Sequence, residues 1–430
     1  MVSRRRVTRG LLLFGASPLL VPLGKKVAAQ EGSSSGDEVV ALLNGTEPVD
    51  ARGLAEIARQ RTVLATAWLK EAQRPIGVFY YIYDPERDEY EIEEYNEVRH
   101  AGTTYSLFQA YGLLGEDSVL TTAEGAAGYI LNSTVPVRAA GRAYLDIQNG
   151  DTSLGGQALA LVALLERRRV TGNTDADGLI NQMAEFLLWM EVEDHLGRFY
   201  MSYEPRAGSK LPTPDVVYYP GETLLALTRL AQQFPGGPYL EVAKRAANYL
   251  VHERDGDIPK TRDIGREDHW LTIALAELYR LDKDKDFAKV AYLQAEAMIA
   301  NQYTDEDGKP DTIGGARRDG PISNSSTATK GEAIVAAWAL ATFKRDDKAA
   351  ARFALGAQRN AQFQMRVQYT EQNTGDFARP DLTIGGWPGS VDNPSIRIDY
   401  VQHNMSVLVG LCHMTIEGDL PIATPLPGVE

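Results

Sequence analysis

Two kinds of helical segment alternate along the chain. One is apolar on nearly every side, as in Ala158-Leu159-Ala160-Leu161-Val162-Ala163-Leu164, Ala333-Ile334-Val335-Ala336-Ala337-Trp338-Ala339-Leu340 and Met405-Ser406-Val407-Leu408-Val409-Gly410-Leu411. A helix that is hydrophobic all round is buried all round. Segments of this kind begin near Val98, Thr152, Tyr218, Glu267, Thr327 and Ile398, at intervals of 49 to 71 residues. The second kind carries polar residues at helical spacing, near 53–71, 118–131, 177–190, 239–252, 285–302 and 348–367. In the fourth of these, Val242, Ala246, Tyr249 and Leu250 form a dry stripe, while Lys244, Arg245 and Asn248 mark the wet side.

Recurrence on this scale signals a repeat architecture. Six buried helices, each paired with an amphipathic one, are expected to close into an inner ring inside an outer ring: an all-α (α/α)6 toroid. No proline- or serine-rich linker divides residues 52–415, so the toroid is expected to be one domain over 51–416. All inner helices then run in one direction, and their N-termini gather at one end. The loops feeding that end are long (75–96, 132–151, 191–217, 253–266, 303–326 and 368–397), whereas the opposite turns are shorter. Long loops on a rigid scaffold are where binding and catalysis concentrate. Residues 78–83 and 198–203 are aromatic-rich and read as short strands, in β-hairpins walling the active-site face.

The N-terminus departs from this pattern. Arg4, Arg5 and Arg6 precede an apolar stretch over 11–23 and the small residues Ala28 and Ala29. That order is read as a twin-arginine-type signal peptide over 1–29. The stretch is too short and too proline-broken (Pro18, Pro22) to span a bilayer, so no stable membrane insertion is expected once the signal is removed. Residues 30–50 read as a flexible leader and 417–430 as a tail. The expected destination is the periplasm or the exterior.

With 44 basic and 58 acidic side chains, the 430-residue chain carries a net charge of −14, and without its six-arginine-and-lysine signal about −20. A nucleic-acid partner is excluded for want of a basic patch. One cysteine, Cys412, rules out a thiolate zinc cluster. No metal and no cofactor are expected.

Chemistry clusters at the six helix entrances. These read Glu97-Val98-Arg99-His100, Asp151-Thr152-Ser153-Leu154-Gly155-Gly156, Tyr218-Tyr219-Pro220-Gly221-Glu222, Glu267-Asp268-His269-Trp270, Asn324-Ser325-Ser326-Thr327, and Gly385-Gly386-Trp387 running on to Arg397-Ile398-Asp399-Tyr400-Val401-Gln402-His403. Asp151, Thr152 and Thr327 fit simple helix capping, and acids are favourable in a first turn. Histidine is not a capping residue, yet three of the six histidines lie in these entrances. Carboxylates there are Glu222, Asp268 and Asp399, with Glu267 and Glu332 nearby, and Tyr105, Tyr218, Tyr219, Trp270, Trp387 and Tyr400 offer faces for sugar stacking.

With Arg99-His100-Ala101-Gly102, Tyr219-Pro220-Gly221-Glu222, Asp268-His269-Trp270 and Asp399-Tyr400-Val401-Gln402-His403 at the ring entrances, the chain resembles the six-hairpin glycosidase-like superfamily over roughly residues 50–415. That group holds glycoside hydrolases, unsaturated-uronyl hydrolases, toroidal polysaccharide lyases and N-acylglucosamine 2-epimerases. The resemblance implies a carbohydrate partner. The first expectation is a glycoside hydrolase-like activity on an oligo- or polysaccharide, with Glu222 and Asp268 as the acid/base pair, His269 beside them and Asp399 in reserve. Arg99, His100, Tyr105, Tyr219, Trp270, Trp387, Arg397 and His403 would then bind substrate. The alternative is uronate lyase or sugar epimerase chemistry, in which a base such as His100, His269, His403 or a tyrosine takes the proton beside a sugar carboxylate and Arg99 and Arg397 hold that carboxylate. A glycan-binding protein without turnover, part of an envelope polysaccharide system, is the third possibility.

Overall fold

The computed structural model describes residues 51–417, apart from 92–94, 138–140, 148–149, 151, 195, 212–215 and 255–265. The signal, the leader and the tail beyond 417 lie outside the described residues. Six helices form the inner wall: α2 (Glu97–Leu114), α4 (Leu154–Thr171), α6 (Tyr219–Gln233), α8 (His269–Asp282), α10 (Asn324–Lys344) and α12 (Ile398–Glu417). The outer wall comprises α1 (Ala51–Ala72), α3 (Asp117–Asn132), α5 (Asp177–Trp189), α7 (Tyr239–Tyr249), α9 (Lys285–Ala300) and α11 (Asp347–Val367). Each inner helix packs on the next, and α12 returns to α2, so the ring is closed. The outer partner of α12 is α1, which joins the two ends of the fold. This is the (α/α)6 toroid expected from the hydrophobic pattern.

Burial follows that pattern. Every residue of α4 from Leu154 to Arg167 is buried, whereas α7 buries only Tyr239, Val242, Ala243, Ala246 and Ala247. Side-chain caps fix several inner starts: Asn96, Ser153, Asp268 and Ser323 each accept from the backbone N–H three residues on. The opposite ends are turned sharply by a left-handed residue, Gly115, Gly172, Lys283 or Arg345, which keeps those connections short.

A repeated staple ties the outer ring together. Gln73, Gln302 and Gln368, each just past an outer helix, donate through Nε2 to a carbonyl of the next outer helix: Thr122, Gly356 and Arg61. At the equivalent place Glu191 binds Arg245 of α7. A glycine with φ between +85° and +97° follows in each loop (Gly77, Gly197, Gly314, Gly385). It lies so near a backbone carbonyl of the same outer helix that a Cβ would sit 1.9 to 2.3 Å from that oxygen.

The entrance loops carry three small antiparallel sheets. The first has the order β2-β1-β9-β8, with β1 at Ile82–Asp84, β2 at Glu89–Glu91, β8 at Pro388–Ser390 and β9 at Asn393–Arg397. It joins the first loop to the last, pairing Ile82 with Arg397. A second is the hairpin β3 (Thr134–Val137) with β4 (Arg142–Leu145). The third is β5 (Thr152–Ser153), β6 (Ser202–Glu204) and β7 (Ser209–Leu211). The hairpins expected at 78–83 and 198–203 are present but displaced toward the C-terminus. The preceding residues Phe79 and Phe199 instead make single bridges back to Gln73 and Glu191, because the staple holds the chain there.

Candidate active site

Two imidazoles meet at the mouth. His269 is the first residue of α8, and His403 sits one turn into α12. Their ring centroids are 5.5 Å apart and nearly perpendicular, at 79°. Glu332, from α10 between them, holds His403 Nδ1 at 2.8 Å and lies 3.9 Å from His269 Nε2. Trp270 forms the wall beneath, its ring 4.8 Å from His269 and 6.3 Å from His403. Tyr218, 44% exposed, stands edge-on to His269 at the open side.

The two histidines are pushed in opposite directions. Burial, reinforced by the neighbouring His403, holds His269 well below the ordinary imidazole range. Its Nε2 makes no hydrogen bond among the described residues. Burial pulls His403 down too, but the Glu332 carboxylate outweighs it, with help from Asp399, and the net shift is upward. Burial thus favours the neutral form of His269 while Glu332 favours the charged form of His403, the kind of divergence by which a site sorts its base from its acid. Two imidazoles and a carboxylate are also a donor set that suits a divalent transition ion, and these three ligand atoms lie within 4.8 Å of one another.

One turn nearer the opening, Asp399 is gripped from two sides. Arg397 makes a two-pronged pair with it, Nε to Oδ1 at 2.5 Å and Nη2 to Oδ2 at 2.8 Å, and Arg99 Nε approaches Oδ2 at 3.3 Å. Arg99 also donates to the Tyr81 hydroxyl, and Arg397 lies over the Tyr400 ring at 4.4 Å. The β1–β9 pairing brings Tyr81 and Arg397 to this spot.

The carboxylates first expected to do the chemistry are deeper. Asp268 is fully buried, its Oδ1 accepting from Leu271 N at 3.0 Å as the α8 cap, with Arg254 Nη1 3.9 Å from Oδ2. Glu222 is buried at 2% exposure, and its Oε2 makes no hydrogen bond among the described residues. Burial first, and the Asp268 charge second, raise its carboxyl well above the usual range. A Cβ on Gly155 would lie 2.3 Å from Glu222 Oε2 and equally close to the Tyr219 ring, so the glycine is what admits them.

Three expected contacts do not reach the mouth. His100 is fully buried and faces outward onto α3: Nδ1 meets the Tyr95 hydroxyl at 2.6 Å and Nε2 the Ala126 carbonyl at 3.0 Å. Burial lowers it to about 4, and it is a core residue rather than a substrate ligand. Trp387 is likewise fully buried, its Nε1 donating to the Gln364 carbonyl at 2.8 Å, so it offers no stacking face. Tyr105 lies deeper inside the ring, its hydroxyl 3.0 Å from Arg229 Nη2 and 2.7 Å from Gln109.

No family model and no curated protein matches the chain. Solved structures do. The chain is similar to a cellobiose 2-epimerase of Bacillus thermoamylovorans, with TM-score 0.62 and 13% identity over 84% of this chain and 98% of that one. It is similar to a D-mannose isomerase, with TM-score 0.59 and 14% identity over 84% and 97%. It is also similar to an α-mannanase of Bacteroides thetaiotaomicron, with TM-score 0.58 and 11% identity over 88% and 99%. What the chain shares with all three is the fold, a closed ring of six helical hairpins.

Within this six-hairpin ring, two groups join the site that the sequence pattern does not single out. Glu332 has as its sequence signal a lone carboxylate in the otherwise apolar run Gly331-Glu332-Ala333-Ile334. Glu97 begins α2 and is buried, accepting from Ser153 N at 2.7 Å, Ser153 Oγ at 2.6 Å and Thr152 Oγ1 at 3.3 Å. Burial lifts it to about 7 against those three donors.

Proposed function

We propose that the chain is an exported carbohydrate-active enzyme that removes a proton from a sugar carbon beside a carbonyl and returns one, an epimerisation or isomerisation. The observation that carries this is the pair of imidazoles that face each other on either side of Glu332 at the mouth, one pushed toward its neutral form and the other toward its charged form. His269 takes the proton, breaking the C–H bond and leaving an enediolate. His403, held toward its charged form by Glu332, supplies a proton to the opposite face of the same carbon for epimerisation, or to the neighbouring carbon for isomerisation, where the hydroxyl proton of the first carbon passes to the former carbonyl oxygen. Electrons balance without an oxidant. The names of the epimerase and the isomerase among the structural neighbours describe chemistry of this class. Export rests on the arginine-led signal over 1–29, and the destination is the periplasm or the exterior.

Hydrolysis is the second reading. It is favoured by Glu222, a buried carboxyl raised toward its acid form beside the charged Asp268, and by the mannanase neighbours. A panel of disaccharides separates the two. Proton transfer yields isomeric sugars at constant reducing-end count and is lost in His269→Ala and His403→Ala. New reducing ends, lost in Glu222→Gln and unaffected by either histidine change, would replace it with hydrolysis.

A further inference from the structure

The histidine pair leaves the arginines above it without a role. Asp399 is the single carboxylate between two guanidiniums, so the group carries a net positive charge at the mouth of a strongly acidic chain. Arg397 spends its planar fork on Asp399. Arg99 does not: it touches Asp399 through Nε and Tyr81 through Nη1, and its Nη2 has no partner among the described residues. Its side chain is 36% exposed, against 23% for Arg397 and 10% for Asp399, so the spare donors face the open side.

Distance ties this group to the chemistry below. Asp399 and His403 are four residues apart on α12 and share a face, about 5–6 Å from one another at Cβ. Burial favours the neutral form of Glu222, which limits how far that carboxyl offsets the positive group. Planar forks recognise carboxylates in preference to hydroxyls.

We infer that the substrate is an anionic sugar, whose carboxylate is held by Arg99, with Asp399 and Tyr81 fixing that guanidinium in place. The structural neighbours are named for cellobiose, mannose and mannan, so this sets the chain apart from them. The assignment rests on the proton-transfer reading for what happens next, but the clamp itself is tested by binding alone.

The test is calorimetry on the whole protein with a glucuronate-terminated disaccharide and the glucose-terminated disaccharide of the same linkage. The acid is expected to bind at least about tenfold tighter at low salt, with the margin shrinking as salt rises, because the recognition is of charge. Arg99→Gln is expected to erase the difference. Equal affinities, or a preference untouched by Arg99→Gln, would overturn the clamp. Should that variant not fold, the salt dependence of the wild-type preference decides: a preference that ignores salt counts against it. Proton exchange is scored separately. Acid-selective binding without exchange on either sugar sinks the proton-transfer reading and leaves the clamp standing; exchange with equal KM on both does the reverse.

Discussion

Replacing Glu332 with glutamine isolates the contact that sets the protonation of the pair. Glu332 lies 2.8 Å from His403 Nδ1 with both side chains largely buried, 6% and 13% exposed. A hydrogen bond to a charged partner is worth about 1.5–3 kcal/mol, and one pKa unit corresponds to about 1.4 kcal/mol. Glu332→Gln removes the charge and keeps the shape, so His403 is expected to titrate at lower pH than in the wild type. Because His403 is raised in the folded chain, the stability it gains from Glu332 is present at low pH and is lost as pH climbs through its folded value. In the variant that loss moves to lower pH. Imidazole titration by NMR, on protein labelled at histidine, reads the shift without any substrate. Any activity that needs protonated His403 should lose its alkaline limb by the same displacement. A His403 titration unchanged within a few tenths of a unit would refute the pairing of acid and base drawn from this geometry.

Glu97→Gln should flatten the fall in stability between about pH 4.5 and pH 7: the folded carboxyl is raised to about 7 from 4.5, so the folded chain holds the extra proton in that window and loses stability as pH rises. The difference in urea-unfolding free energy between wild type and variant, measured at several pH values, checks it. Gly314→Ala is expected to cost more than about 2 kcal/mol, since φ is +88° and the new Cβ would stand 1.9 Å from the Arg359 carbonyl; Gly308→Ala, at φ +66° in open space, should cost about 1 kcal/mol. Denaturant melts of the two variants test the staple directly. Excess Zn²⁺ should inhibit by taking the His269, Glu332 and His403 donors, with EDTA restoring activity; absorption of the Co²⁺ form, lost in His269→Ala, reports the ligands.

The ring was legible because burial on all sides leaves a plain mark. Five of the six inner helices begin within two residues of the apolar segments' expected starts, and the exception, α10, begins three residues before Thr327. The staples were not, since a glutamine reaching a carbonyl on the next outer helix depends on contacts between hairpins that no local pattern encodes. His100 and His269 show the same boundary within the site. Both lie at helix entrances, but helical phase turns His100 toward α3 and His269 toward the axis, and phase relative to the ring centre becomes known only once the ring is built. Asp268 reads equally as cap or catalyst in sequence; its bond to Leu271 N shows the capping role. Arg99 is almost three hundred residues from Arg397 and Asp399 in the chain, and the β1–β9 pairing joins the loops that carry them.

The most direct measurement is deuterium incorporation from solvent. Sugars incubated with the protein in D₂O and followed by proton NMR are expected to lose the signal of one C–H beside the carbonyl, and to keep it with His269→Ala or His403→Ala. Sugars that turn over with every such C–H retained, or exchange that survives both histidine variants, would contradict a proton-transferring pair at the mouth of this ring.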